Sequence, residues 1–254
     1  MKKKYFFFDI DGTLTTPLQA IFPESTMEAL CQLRKQGHFV SLATGRIQAD
    51  AWEVAKKLSL AAAVSDGGNA VTIDGTILYH TSLPMERVEA FINENSYEDH
   101  PWAIVPYNRR CRIARSWLYL SRVKDRYYET GFDRTAAAKN YNAVYKIFVA
   151  ATKQDVSHMH MCGLPYVWFT SDTMLIEPVH KEKGIMEIMK RYGLRDEDIV
   201  VFGDGMNDRA MFRKEWLSIA MGNAKQELKE KATYITTAAN DDGIWNACRH
   251  FGWI

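Results

Sequence analysis

Four aspartates stand in two tight groups whose residue types suit phosphate and metal chemistry. Asp9 and Asp11 alternate in Asp9-Ile10-Asp11-Gly12-Thr13. Asp204 and Asp208 lie within Gly203-Asp204-Gly205-Met206-Asn207-Asp208, and a third polar group, Thr44-Gly45-Arg46, falls between the two in the chain. Two carboxylates about 4 Å apart repel by roughly 4 kcal/mol at an effective dielectric of about 20. Brought together, such groups take up protons or gather around a cation. A hard divalent ion with oxygen ligands meets that need, and Mg²⁺ commonly pairs one or two carboxylates with a substrate phosphate. Each motif also has a plain structural reading. The first is an Asp-Gly turn after a strand, and the third is a turn that caps a helix. The third motif lacks the last glycine of GxGxxG and comes late in the chain, which argues against a dinucleotide site.

The elements that must position these groups can be read from apolar patterning. Tyr5 to Ile10, His38 to Thr44, Ala61 to Ser65 and Ile199 to Phe202 are apolar without alternation, the pattern of strands covered on both faces. Helices are expected at Pro23 to Gln36 (with Met27, Leu30 and Cys31 on one face), Ala49 to Leu58, Glu182 to Tyr192 and from Asn207 to Arg213. Strand–helix–strand alternation implies a parallel sheet with right-handed crossovers. The expected fold is therefore α/β, a Rossmann-like doubly wound parallel sheet. Asp74-Gly75 marks a hairpin turn inside Val71 to Leu78. From about residue 82 the rhythm changes. Strands are expected at Val144 to Ala150 and Tyr166 to Thr170, and helices at Met85 to Asn95 and Lys153 to Cys162. This stretch reads as an inserted α+β domain, giving core 1–81, insertion 82–176 and core 177–254. Ligands of open α/β sheets bind beyond the carboxyl ends of the strands. All three polar motifs follow buried strands, so side-by-side strands would bring them together.

Composition narrows the function classes. The chain has 254 residues, 47% apolar and 25% charged, as in ordinary globular proteins. The net charge of +1 gives no electrostatic footprint for nucleic acid or an anionic membrane. No stretch approaches the about 20 apolar residues of a membrane span. After Lys2-Lys3-Lys4 the apolar run reaches Asp9 too soon for a signal peptide. Cys31, Cys111, Cys162 and Cys248 include no CxxC pair, their spacing suggests no zinc site, and the seven histidines show no metal-ligand spacing. Reduced thiols in a cytoplasmic protein are the expectation. The basic cluster Arg109, Arg110, Arg112, Arg115 reads either as a solvated face or as a contact to an anionic substrate. His158 and His160 read as surface positions, and Trp102, Trp117 and Trp168 as core of the insertion.

With these motifs in order, the sequence resembles the haloacid dehalogenase superfamily of phosphohydrolases, in its Cof-type branch with a large α/β cap. The resemblance rests on Asp9-Ile10-Asp11-Gly12-Thr13, Ala43-Thr44-Gly45-Arg46, Lys183-Gly184 and Gly203 to Asp208, with Met221 to Ala224 and Asn240 to Gly243 as later matches. It implies that Asp9 is the nucleophile and forms an aspartyl-phosphate, with Asp11 as general acid and then base. It implies Mg²⁺ held by Asp9, Asp204 and the backbone carbonyl of Asp11, with Asp208 acting nearby. Thr44, Gly45, Lys183 and Asn207 would bind the phosphate. The family pattern puts its lysine directly before the glycine, hence Lys183; Lys181 and His180 then form a charged helix start. Arg46 either reaches substrate or closes a surface ion pair. The inserted domain would act as a lid that chooses the leaving group, with Arg109 and Arg110 as substrate candidates. The implied substrate is a small-molecule phosphate ester, a sugar phosphate foremost. Phosphomannomutase-like proteins share the first motif but carry a Gly/Ser-rich second one, which favours hydrolysis over isomerisation here. A non-catalytic phospho-ligand-binding module would be expected to have lost a motif.

Overall fold

Phe6, Phe7 and Phe8 are all fully buried, which a strand achieves only when both faces of its sheet are covered. Phe6 and Phe8 pack with Leu30, Leu33 and Ile244 on one side. Phe7 packs with Ile185, Ile188 and Met211 on the other. The computed structural model describes residues 2–17 and 21–254. Two compact units divide the chain: 1–46, 51–79 and 180–254 form the first, and 47–50 with 80–179 form the second.

The sheet of the first unit has eight strands. In spatial order they are Tyr234–Ile235, Leu217–Ala220, Ile199–Gly203, Tyr5–Phe8, Phe39–Ala43, Ala62–Ser65, Ala70–Ile73 and Thr76–His80. The first six are parallel, and Ala70–Ile73 runs antiparallel to its neighbour. Asp74 and Gly75 both have positive φ (49° and 80°), the backbone of a type I′ hairpin turn. From the central Tyr5–Phe8 strand the chain first adds strands on one side and later returns on the other. The carboxyl end of that strand is therefore a topological switch point.

The helix Glu24–Lys35 buries Thr26, Ala29, Leu30 and Leu33, while Met27 is exposed. The expected face is thus turned by about one residue around Leu30. The helix Lys181–Tyr192 begins one residue before the expected start and buries Lys181, Gly184, Ile185 and Ile188. A Cβ on Gly184 would lie 2.4 Å from Val64 Cγ1, so the helix lies close against the strand Ala62–Ser65. After Ile199–Gly203 the chain forms a six-residue 3₁₀ segment, Met206–Met211, where an α-helix from Asn207 is expected.

The second unit is a six-stranded sheet ordered Tyr166–Thr170, Thr173–Ile176, Lys146–Ala150, Trp102–Val105, Cys111–Ala114 and Glu129–Phe132. All neighbours are antiparallel except the last pair. The helix Met85–Glu94 covers one face through Val88 and Phe91. Arg112 is fully buried, 2.6 Å from Asp125 and 4.9 Å from the Tyr119 ring centre, so this member of the basic cluster serves the interior of its unit. Trp102 is core, but Trp117 is 70% exposed against the expectation. The expected helix Lys153 to Cys162 reduces to a 3₁₀ turn, Asp155–His158. Asp155 there accepts from the Thr152 N–H and hydroxyl. Among the described residues, no helix is long and apolar enough to cross a membrane.

Gly184→Ala should cost about 1–3 kcal/mol by overpacking and lower the Tm by about 2–4 °C per kcal/mol. Val64→Ala in the same chain should recover part of the loss, measured by thermal unfolding. An unchanged Tm in the single variant would contradict this close approach.

Candidate active site

Asp9 continues the central strand, its N–H donating to Phe202 O at 3.1 Å. The chain then turns through Gly12, whose φ of 89° favours glycine. A Cβ there would lie 2.4 Å from Asp204 Oδ2, so no other residue lets this loop approach Asp204. Thr13 donates its hydroxyl to Asp204 Oδ1 at 3.1 Å. Asn223 donates to Gly12 O at 2.8 Å and to Asp204 Oδ2 at 3.4 Å. Two residues without an assigned site role in the sequence, Thr13 and Asn223, thus tie the first motif to the last.

Lys181 is the basic residue at this cluster. Its fully buried Nζ donates to Asp9 Oδ1 at 2.6 Å and to Asp208 Oδ1 at 2.5 Å. Lys183, expected in that place, is exposed. The correction follows from helix phase: two residues along a helix turn the side chain by about 200°. Lys181 shares its stripe with Gly184, Ile185 and Ile188 at i+3, i+4 and i+7, whereas Lys183 falls outside it. That stripe was the available signal, and adjacency to the glycine was the misleading one.

Asp208 is fully buried, and its Oδ2 accepts the N–H groups of Asp204 and Gly205, each at 2.9 Å. Asn207 lies in the 3₁₀ segment Met206–Met211, not at the start of the expected α-helix. Thr44 is buried at the end of Phe39–Ala43, and its hydroxyl accepts the Arg46 N–H at 3.1 Å across Gly45. Arg46 grips Asp11 in a bidentate pair, Nε to Oδ2 at 2.9 Å and Nη2 to Oδ1 at 2.6 Å. The Asp11 side chain is 56% exposed and the Arg46 side chain 16%. Arg109 and Arg110 belong to the second unit. Arg109 lies over the Tyr107 ring, and Arg110 lies over the Tyr127 ring with Asp50 3.5 Å away.

Asp9, Asp204 and Asp208 each present a carboxylate oxygen, all within 4.8 Å of one another. One ammonium stands among these three carboxylates and pairs with two of them, Asp9 and Asp208. Burial lowers the Lys181 pKa, but the charges of Asp208 and Asp9 outweigh it and leave it raised. Asp208 has the ammonium and two backbone N–H groups as donors. Burial and the Asp208 charge hold Asp9 well above the usual carboxylate range, against the pull of Lys181. Burial and Asp208 push Asp204 to about 7. An all-oxygen donor set that disfavours its own charge fits a hard divalent cation.

The profile of the haloacid dehalogenase-like hydrolases matches residues 6–248. The chain belongs to this family. Relatives of this hydrolase include the putative phosphatase YkrA of Bacillus subtilis, 27% identical with both chains fully covered. A phosphoglycolate phosphatase of Nitrosopumilus maritimus is 24% identical over 97% of this chain and 95% of its own. Among solved structures, a hypothetical protein of Geobacillus kaustophilus has a TM-score of 0.84 at 27% identity, both chains fully covered. A subclass IIB sugar phosphatase of the haloacid dehalogenase family has a TM-score of 0.82 at 26% identity, covering 99% of this chain and all of its own.

The raised Asp204 pKa has a signed consequence for this hydrolase. Between the ordinary carboxylate range and about 7, the folded chain holds a proton that the unfolded chain has released. The stability from that proton is present at low pH and is lost as pH rises through the window. With chelator present, the wild-type Tm minus that of Asp204→Asn should fall from about pH 5 to about pH 7.5. A difference flat across that range would show that Asp204 does not titrate there.

Proposed function

We propose that this protein is a Mg²⁺-dependent phosphomonoester hydrolase that passes phosphate through an aspartyl-phosphate on Asp9, acting on small phosphorylated metabolites, sugar phosphates foremost. The observation that carries this reading is the buried contact of Lys181 with Asp9 and Asp208, beside Asp204. It supplies a nucleophilic carboxylate, a cation for phosphate oxygens and a donor set for a divalent ion in one place. Relatives named as phosphoglycolate phosphatase and HMP-PP phosphatase support small phosphate esters as the substrate class.

In this mechanism a carboxylate oxygen of Asp9 attacks phosphorus and the ester oxygen leaves. Asp11 gives that oxygen a proton, then takes one from the water that opens the aspartyl-phosphate. Arg46 holds both carboxylate oxygens of Asp11, so the acid step requires Asp11 to turn away from Arg46 towards the leaving oxygen. Lys181 and the hydroxyl of Thr44 hold the transferring oxygens, with Gly45 and Asn207 beside them, and positioning of this kind carries most phosphoryl transfer. Mg²⁺ held by Asp9, Asp204 and the Asp11 carbonyl would neutralise charge building on the phosphate. Asp208 keeps Lys181 oriented. Choice of leaving group is assigned to the inserted unit, with Arg109 and Arg110 as candidates.

Release of p-nitrophenol from its phosphate should require Mg²⁺. Asp9→Asn should lower the rate by at least about 1000-fold while the protein stays folded. Lys181→Met should lower it by about 100-fold or more, whereas Lys183→Met should stay within about a factor of two. Full activity in Asp9→Asn would refute the nucleophile, and equal losses at Lys181 and Lys183 would refute the lysine assignment.

A further inference from the structure

The second unit carries a cluster of metal-ligating side chains that the hydrolase chemistry does not use. Glu94 ends the helix Met85–Glu94, and His160 and Cys162 lie on the loop after the 3₁₀ turn Asp155–His158. Their donor atoms all lie within 4.8 Å of one another. Cys162 Sγ is 3.6 Å from Glu94 Oε2 and 3.8 Å from His160 Nδ1, and the carboxylate and the imidazole touch directly.

The loop is held so that these groups converge. The buried Asn95 side chain donates to His160 O and accepts the His160 N–H, both at 3.0 Å, and also donates to Phe91 O at 2.8 Å. Arg87 donates to Gly163 O at 3.0 Å. Cys162 itself adopts φ 51°, a backbone conformation costly for a residue with a side chain. These bonds hold it there, and the result is a thiol aimed at the imidazole and carboxylate.

We infer that Glu94, His160 and Cys162 form a three-ligand site for a borderline transition-metal cation, Zn²⁺ foremost, with water completing the shell. One nitrogen, one sulfur and one carboxylate oxygen are the donor types Zn²⁺ takes. With bonds of about 2.3 Å to sulfur and about 2.0–2.2 Å to nitrogen and oxygen, tetrahedral angles put sulfur about 3.6 Å from the other donors. The two sulfur separations already match. Only the imidazole–carboxylate contact must open to admit the cation. Binding displaces the Cys162 thiol proton, leaving a thiolate–metal bond. The hard, all-oxygen cluster of the first unit favours Mg²⁺ instead, so donor softness separates the two sites.

The test uses the full chain carrying Asp9→Asn and Asp204→Asn, which removes the oxygen site, with excess Mg²⁺ present. Co²⁺ serves as the spectroscopic probe, and Zn²⁺ competes with it. The expected result is a near-ultraviolet thiolate-to-cobalt band at one equivalent, displaced by Zn²⁺. Cys162→Gly relieves the positive φ, so it should fold with an undiminished Tm and show no band. His160→Gln should weaken Zn²⁺ binding by about 100-fold or more, beyond the range of an outer-shell change. No band in the parent, or a band that survives Cys162→Gly, would overturn the site. Cys162→Gly in the otherwise wild-type chain should keep its Mg²⁺-dependent phosphatase rate, so failure of either reading is visible separately.

Discussion

A single buried ammonium surrounded by carboxylates sets the constraint that the rest of the first unit satisfies. Lys181 has no exposed surface and lies between Asp9 and Asp208. Buried charges of this kind are costly unless each is paired and hydrogen-bonded. The surroundings answer that demand group by group. Asp208 takes two backbone N–H groups from the turn it closes. Asp204 takes the Thr13 hydroxyl and the Asn223 amide. What is left over is the burial of Asp9 and Asp204 and their mutual repulsion with Asp208, which raise the pKa of the first two; a divalent cation would relieve the repulsion.

The parallel core was legible because its strands are buried on both faces. Phe6, Phe7 and Phe8 announce a central strand without any need for alternation. The carboxylates were legible for a related reason: each follows such a strand, and the sheet order brings Asp9 and Asp204 to adjacent strand ends. The lysine was misplaced because a motif read as a string ignores helix phase. Its alignment with Gly184, Ile185 and Ile188 shows the buried face that a linear pattern hides.

The second unit was harder to read. Four-residue strands such as Cys111–Ala114 and Glu129–Phe132 leave too few positions for a period to show. Arg112 looks like surface charge in sequence, yet Asp125 and the ring of Tyr119 make it an interior residue. Glu94 stands far from His160 and Cys162 in the chain, so no spacing rule joins them. The Asn95 bonds to the His160 backbone and the Arg87 bond to Gly163 O bring the two segments together.

The strand Tyr5–Phe8 pairs on one side with Phe39–Ala43 and on the other with Ile199–Gly203. On a ribosome adding about 5–20 residues per second, the second edge waits roughly 10–40 s for its partner. During that interval a tyrosine and three phenylalanines present open backbone amides and apolar rings, the composition of a sticky β-edge. Lys2, Lys3 and Lys4 directly before it place like charges at the end of that edge. Such charges discourage pairing between nascent chains. The insertion of a second unit into the chain thus lengthens the interval over which those lysines flank an unpaired edge.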